Sequence, residues 1–77
     1  METEALQHAV NEAGSQTALA TRLSEITGKT VKQQHIWNWL NRDAQVPAEF
    51  AIPIELAVNG AVTREQLRPD AFPNEAA

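Results

Sequence analysis

The chain has 77 residues, a net charge of −4 and no cysteine. A chain of this length supports one domain with one small core, and without cysteine it forms neither a disulfide nor a thiolate zinc site, so we expect a cytoplasmic protein. No apolar run reaches the roughly 18 residues of a membrane span, and the acidic start METEALQH is unlike a signal peptide.

The first half of the chain predicts two helices in succession. Apolar residues recur at the spacing of one helical face over residues 4–13, with Thr3 as the predicted N-cap. A second helix is predicted over residues 16–27, where the hydroxyl of Ser15 can cap the first turn. Gly28 is the natural left-handed residue that ends this helix.

A third helix is predicted over residues 32–41, and it contains both tryptophans of the chain. At ~100° per residue the two indoles lie about 200° apart, so both cannot face the same core. Trp39 shares an apolar stripe with Ile36 and Leu40, and we predict that it packs inside. Trp37 is predicted to face outward, where it either closes over a flank of the core or contacts a partner molecule.

The segment over residues 47–58 resembles one amphipathic helix, but it contains Pro53. Proline inside a helix removes a backbone hydrogen bond and clashes with the preceding turn. We therefore predict a short turn over residues 47–51 and a separate helix over residues 53–58. The dipeptide Asn59-Gly60 is expected to end that helix.

The end of the chain predicts one more short helix and a tail. Thr63 and Gln66 match a capping box, which predicts a helix through Leu67. Residues 71–77 contain too little apolar surface to fold alone, so we predict a disordered tail unless Phe72 docks on the domain. The sequence therefore predicts an all-α domain over residues 1–70 with four or five short helices.

Two short helices joined by a link, the second exposing carboxamides, form the helix-turn-helix arrangement. A glutamine or asparagine offers a donor and an acceptor on one plane, which matches N6 and N7 of adenine in the major groove. Residues 15–42 also carry four cations against Glu25 alone, between acidic flanks, although chance can distribute so few charges in this way. The pattern predicts that residues 32–41 read double-stranded DNA.

A different class of function stays open at this point. A protein-interaction module, such as an antitoxin, could use Trp37 and the acidic surface on a basic protein partner, and the net charge of −4 favours it. An enzyme is not expected, because no nucleophile–base pair, metal cluster or phosphate loop can be assembled. We also expect no cofactor, no metal and no small-molecule substrate.

Two polar residues near the motif have ordinary structural explanations. Arg22 lies three residues before Glu25 on the second helix, and it is expected to meet either backbone or Glu25, with the salt bridge as the favoured interpretation. His35 lies between the two faces of the third helix, and a structural role is predicted for it rather than a catalytic one.

Three stretches of the chain carry a family resemblance: GSQTALATRL (14–23), VKQQHIWNWL (31–40) and VPAEFAIPIELAVNGAVTREQLRPD (46–70). The chain resembles the YdaS-like, Cro-type transcriptional regulators of bacterial prophages and toxin–antitoxin loci. This resemblance implies a lambda-repressor-like helix-turn-helix repressor. The chain departs from the family in SEITGKT (24–30), which implies an extended turn or a longer second helix. Lys32 stands where the family has a small hydroxylated cap, so here the cap is expected to come from Thr30 or to be weak.

The resemblance also implies which side chains contact DNA. The implied base contacts are Lys32, Gln33, Gln34, Trp37, Asn38 and Asn41. The implied phosphate contacts are Gln16, Thr17 and Arg42, to which we add Lys29 because it flanks the third helix.

A symmetric operator and a homodimer, or a higher homo-oligomer, are further expectations from the resemblance. Size gives a physical reason for the dimer, because each good bidentate base contact contributes only roughly 1–3 kcal/mol of discrimination. One short helix would therefore discriminate poorly between sequences. The predicted partner surface is the apolar part of the C-terminal region, formed by Ile52, Ile54, Leu56, Val58 and Val62.

Overall fold

The computed structural model describes residues 3–72, and within them the chain folds into five helices and no strand. The all-α, helix-turn-helix prediction is therefore confirmed. No helix in this part of the chain is long and apolar enough to cross a membrane. The helices are α1 (Glu4–Ala13), α2 (Gln16–Thr27), α3 (Gln33–Asn41), α4 (Ala48–Ala57) and α5 (Arg64–Leu67).

The predicted caps of α2 are confirmed, whereas that of α1 is wrong. The Ser15 hydroxyl accepts a hydrogen bond from the Ala18 N–H at 3.0 Å, and Gly28 ends α2 with φ of 73°. Thr3 has helical backbone angles, and its side chain makes no capping hydrogen bond. A capping hydroxyl requires an extended backbone, so only the Thr3 carbonyl takes part, accepting from the Gln7 N–H at 2.9 Å.

The turn between α2 and α3 is wide, as the extension in the sequence predicts, and α2 itself is 12 residues long. Ser24 fastens this turn to the helix. Its hydroxyl accepts from the Val31 N–H at 2.9 Å, and the hydroxyl oxygen lies 3.0 Å from the carbonyls of both Ala20 and Val31. Val31 also buries its side chain in the core. The extended turn is therefore anchored by both polar and apolar contacts.

α4 runs unbroken through Pro53, so the predicted turn over residues 47–51 and separate helix over residues 53–58 are wrong. A proline inside a helix loses one backbone hydrogen bond, at a cost of about 3 kcal/mol. Ala51 and Ile54, on the two sides of Pro53, are both completely buried. Both turns of α4 thus pack on the same core, and this burial offsets the missing bond.

The core lies between all five helices and takes more of the C-terminal region than predicted. The core buries Ile54, Val58 and Val62, so these residues cannot contact a partner. The predicted partner surface is therefore wrong for these three residues. Ile52 is half-buried and Leu56 is 58% exposed. Only these two of the five apolar residues remain accessible.

Arg22 joins α2 to α4 instead of forming the predicted salt bridge with Glu25. Its Nη1 donates a hydrogen bond to the Ala57 carbonyl at 2.9 Å. The last carbonyls of a helix lack intrahelical partners, so a guanidinium at the end of α4 satisfies one of them. The competing carboxylate on the same exposed helix face offers a weaker, solvent-screened interaction.

Two further arginines hold the C-terminal region together. Arg68 donates to the Val46 carbonyl at 2.8 Å and binds both carboxylate oxygens of Asp70. The hydrogen bond from Arg68 lowers the pKa of Asp70 to about 2. Arg64 bonds Glu55 at 3.1 Å, and this bond lowers the pKa of the Glu55 carboxyl below its ordinary value. These cations serve the fold.

The start of the predicted tail is attached to the domain. The Phe72 N–H donates to the Arg68 carbonyl at 2.8 Å, and its half-buried ring packs against the core. Phe72 therefore docks, which was the open alternative to a disordered segment. Residues 73–77 lie outside the described residues, so the disorder expected for them stays a prediction.

Candidate nucleic-acid interface

α3 presents one polar face and buries the opposite one. At about 100° per residue, positions 33, 34, 37, 38 and 41 fall within an arc of about 140°. Ile36 and Trp39, on the other side, are 0% and 6% exposed. The Trp39 ring lies 5.0 Å from the Phe50 ring between their centroids. The predicted base-contacting side chains of α3 therefore share one face, with Trp39 anchoring the helix from behind.

The start of α3 is capped by an imidazole. Nδ1 of His35 accepts a hydrogen bond from the Lys32 N–H at 2.9 Å. The Lys32 ammonium has no lone pair to accept a backbone bond, so His35 supplies the cap expected from Thr30. This confirms a structural role for His35. With its ammonium not needed as a cap, the exposed Lys32 is available to an anion at the helix start, where the dipole also favours negative charge.

Carboxamides on this face are ordered by hydrogen bonds to each other and to the backbone. Nε2 of Gln33 donates to Oε1 of Gln16, which ties the start of α3 to the start of α2. Nε2 of Gln34 donates to Oδ1 of Asn38 at 3.1 Å, one turn along the helix. Asn41 donates to the Trp37 carbonyl at 3.0 Å. A carboxamide has two N–H groups and two lone pairs, so each of these retains capacity for a base edge.

Trp37 lines a groove beside α1. Its side chain is 44% exposed, which confirms the outward orientation predicted for it. The groove measures about 510 Å³ and lies between α1, α3 and the start of α2. Its lining residues are Thr3, Glu4, Gln7, Gln16, Trp37, Leu40 and Asn41.

Sequence reasoning missed the contribution of α1 to this groove. The polar side of α1 includes Glu4 and Gln7, and Thr3 directly precedes the helix. This pattern indicates a solvent-facing stripe. A periodic pattern identifies such a stripe but not the helix beside which it lies. The carboxylate of Glu4 thus adds a negative charge at the edge of the α3 face.

The residues predicted to contact phosphates lie in three different places in the fold. Gln16 and Thr17 lie in the first turn of α2, beside the start of α3. Nε of Arg42 lies 3.1 Å from the Asp43 carboxylate, at the end of α3. Nζ of Lys29 lies 3.4 Å from the Glu49 carboxylate at the start of α4, a helix that does not line the groove. Ion pairs as exposed as these are weak, so phosphate can compete for their cations.

Residues 3–72 contain no group of three or more histidine, aspartate and glutamate side chains that could hold a metal ion.

Comparisons with known proteins identify a family and a similar solved structure. Residues 6–76 match the family described as bacterial toxin YdaS. The fold is similar to the Cro protein from the prophage element Xfaso 1 in Xylella fastidiosa strain Ann-1, with a TM-score of 0.77 and 46% sequence identity. That similarity covers 88% of this chain and 94% of the Cro chain. No curated protein matches this chain at a significant level.

Proposed function

We propose, from the premise that this chain belongs to the bacterial toxin YdaS family, that it is a sequence-specific DNA-binding regulator of transcription. Its role is that of a Cro-type repressor of a prophage or a toxin–antitoxin locus. The similarity to a Cro protein from a prophage element supports this role. The observation that carries the proposal is the exposed carboxamide face of α3, joined to α2 by the Gln16–Gln33 hydrogen bond.

α3 enters the major groove of the operator with its N-terminal half facing the base edges. Gln33, Gln34 and Asn38 read bases, because their carboxamides match the donor and acceptor pair of adenine. The Gln16–Gln33 bond holds one of these carboxamides in place before DNA binds, which lowers the entropy lost on binding. Lys32 contacts guanine or phosphate at the helix start, and Asn41 extends the base-reading surface at the other end of the helix.

Trp37 and the flanking residues position the helix on the duplex. The exposed indole contacts a thymine methyl or the sugar backbone, where an apolar surface is useful. Gln16, Thr17, Lys29 and Arg42 contact phosphates, with Lys29 leaving its ion pair with Glu49 to do so. Two copies bind together, because one 9-residue helix contacts too few base pairs to select an operator.

Selection of bound duplexes from a random pool tests this function. We expect an enriched motif with two related half-sites whose centres lie about one helical turn apart. The net charge of −4 does not prevent binding, because Lys29, Lys32 and Arg42 are exposed while Arg22, Arg64 and Arg68 bond within the fold.

The salt dependence of binding to the selected duplex should follow from those cations. Three exposed cations in each copy give a slope of log K against log salt of about −5 for a dimer if all of them meet phosphates. Fluorescence anisotropy over a salt series measures this slope. Failure to enrich any motif, together with a slope near zero, would contradict the proposal. Binding to a basic protein instead would favour the interaction-module alternative.

A further inference from the structure

The first turn of α3 carries the side chains with which the proposed base-reading surface begins. Lys32 is the N-cap residue and has extended backbone angles, and Gln33 and Gln34 are the first two residues of the helix. The directions of these three side chains depend on how the backbone of this turn is held. The contacts of that backbone therefore bear on DNA binding.

Two hydrogen bonds between Lys32 and His35 hold this turn. The His35 N–H donates to the Lys32 carbonyl at 2.9 Å, and the Lys32 N–H donates to Nδ1 of the imidazole at 2.9 Å. A backbone N–H is always a donor, so Nδ1 accepts this bond and carries no proton. The imidazole is therefore neutral in this arrangement, with its one N–H group at Nε2.

The short helix α5 begins with the same arrangement, built from a side chain that does not titrate. Oε1 of Gln66 accepts the Thr63 N–H at 2.9 Å, and the Thr63 hydroxyl accepts the Gln66 N–H at 3.2 Å. The cap of α5 is thus reciprocal. The Lys32 ammonium cannot accept a hydrogen bond, so among the described residues the side-chain cap of α3 depends on His35 alone.

Protonation of His35 would break the cap of α3. An imidazolium has an N–H group on both nitrogens, so Nδ1 would then face the Lys32 N–H as a second donor. Added positive charge at a helix N-terminus is also unfavourable, because the helix dipole is positive there. Histidine is the side chain whose charge ordinarily changes between about pH 5 and 8. We therefore expect the first turn of α3 to loosen in mildly acidic solution.

The surroundings of His35 offer no carboxylate that would hold its ring in the charged form. The ion pairs of the described residues do not include His35. Lys32, the charged residue closest to it along the chain, is a cation. The charged and titratable side chains of the elements packed against α3 are Arg22 and Glu25 of α2, Lys29 of the turn, Glu49 and Glu55 of α4, and Glu4, His8 and Glu12 of α1.

We propose that His35 is a positioning residue of the reading helix, and that only its neutral form holds the first turn of α3 ready for DNA. The inference rests on the proposed function, in which Lys32, Gln33 and Gln34 contact the operator. Binding then requires the neutral imidazole, so operator affinity falls as the solution becomes acidic. A positive charge added beside Lys32 would by itself strengthen the attraction to phosphates, so the direction of the change separates the cap from a simple charge effect.

The variant His35→Gln tests this inference, because it keeps an acceptor at the same position and removes the titration, as Gln66 does in α5. We expect it to bind the selected duplex like wild type at about pH 8. On acidification to about pH 5.5, wild type should lose about threefold to tenfold more affinity than His35→Gln, which is the size of one capping interaction. Fluorescence anisotropy at constant ionic strength measures both profiles. Identical profiles, or a relative gain by wild type in acid, would overturn the inference.

Two further variants serve as controls for the pH profile. His8→Gln removes the other histidine, which pairs with Glu12 on α1 at 3.4 Å, and it should keep the wild-type profile. His35→Ala has no acceptor at any pH, so it should bind about threefold to tenfold more weakly than wild type at about pH 8. Circular dichroism checks that each variant retains the fold. Full affinity of His35→Ala at about pH 8 would show that the cap does not matter for binding.

The Lys32 amide resonance tests the cap without DNA and so separates this inference from the proposed function. In ¹⁵N-labelled wild type, the Lys32 backbone N–H signal should shift as His35 takes up its proton, and in His35→Gln it should stay in place over the same range. A Lys32 signal that does not respond to the titration of His35 would overturn the inference and leave the proposed function intact. Absence of duplex binding by wild type at every pH would instead overturn the proposed function.

Discussion

Trp39→Ala is expected to unfold a large fraction of the protein at 25 °C. The indole is 6% exposed, contacts the Phe50 ring and anchors α3 on the core. Truncation of a buried tryptophan to alanine costs about 3–5 kcal/mol, through lost transfer free energy and the cavity that remains. The core of a domain of this size rarely supplies more than about 3–5 kcal/mol of stability, which is as large as the cost of this substitution. Urea unfolding followed by circular dichroism measures the change.

The matched control is Trp37→Ala, two residues away on the same helix. Because Trp37 is 44% exposed, we expect the free energy of unfolding of this variant to differ from that of wild type by less than about 1 kcal/mol. Its operator affinity should fall, since the proposed apolar contact with DNA is lost. Equal destabilisation by both substitutions would mean that the two indoles are alike and that Trp37 belongs to the core.

The triple variant Gln33→Ala, Gln34→Ala, Asn38→Ala should lose operator binding while it retains the fold. Each bidentate base contact contributes roughly 1–3 kcal/mol, so the loss of several such contacts lowers affinity by about a hundredfold or more. Alanine has the highest helix propensity, so these substitutions do not weaken α3 as a helix. Fluorescence anisotropy with the selected duplex measures the affinity, and thermal unfolding measures the stability.

Exposed carboxamides elsewhere in the chain provide a control for the triple variant. Asn11 on α1 and Gln45 in the loop before α4 are both exposed and lie outside the α3 face. The variant Asn11→Ala, Gln45→Ala should bind the operator with wild-type affinity. Retention of full affinity by the triple variant as well would remove α3 as the reading helix.

Local chemistry made much of the fold predictable from the sequence. The Ser15 cap, the left-handed Gly28 and the Thr63–Gln66 capping box depend on residues within one turn of each other, and each occurs as predicted. The cap predicted at Thr3 does not form because the backbone there is helical. At the start of α3 the imidazole of His35 accepts the Lys32 N–H. Propensity alone does not contain those details.

Tertiary contacts account for the wrong predictions. Pro53 remains inside α4 because residues on both sides of it are buried by other helices. Arg22 bonds a carbonyl 35 residues away along the chain, a partner that no local spacing indicates. Ile54, Val58 and Val62 cover the core from the C-terminal region, so apolar content alone could not separate the core from a partner surface.

The candidate site was predictable where it depends on one helix and not where it depends on contacts between helices. The 3.6-residue period was enough to assign the two tryptophans to opposite faces of α3 and to group its carboxamides. The Gln16–Gln33 bond and the groove beside Trp37 depend on how α1 and α2 approach α3. Such relations between helices follow from the packing of the whole core.

Side-chain amide resonances offer the most direct measurement of the central claim, that α3 presents its carboxamides to base edges. In ¹⁵N-labelled protein titrated with the selected duplex, the side-chain NH₂ signals of Gln33, Gln34 and Asn38 should shift strongly. Those of Asn11 and Gln45 should stay in place. Shifts confined to other surfaces, with the α3 carboxamide signals unmoved at saturating DNA, would contradict the account.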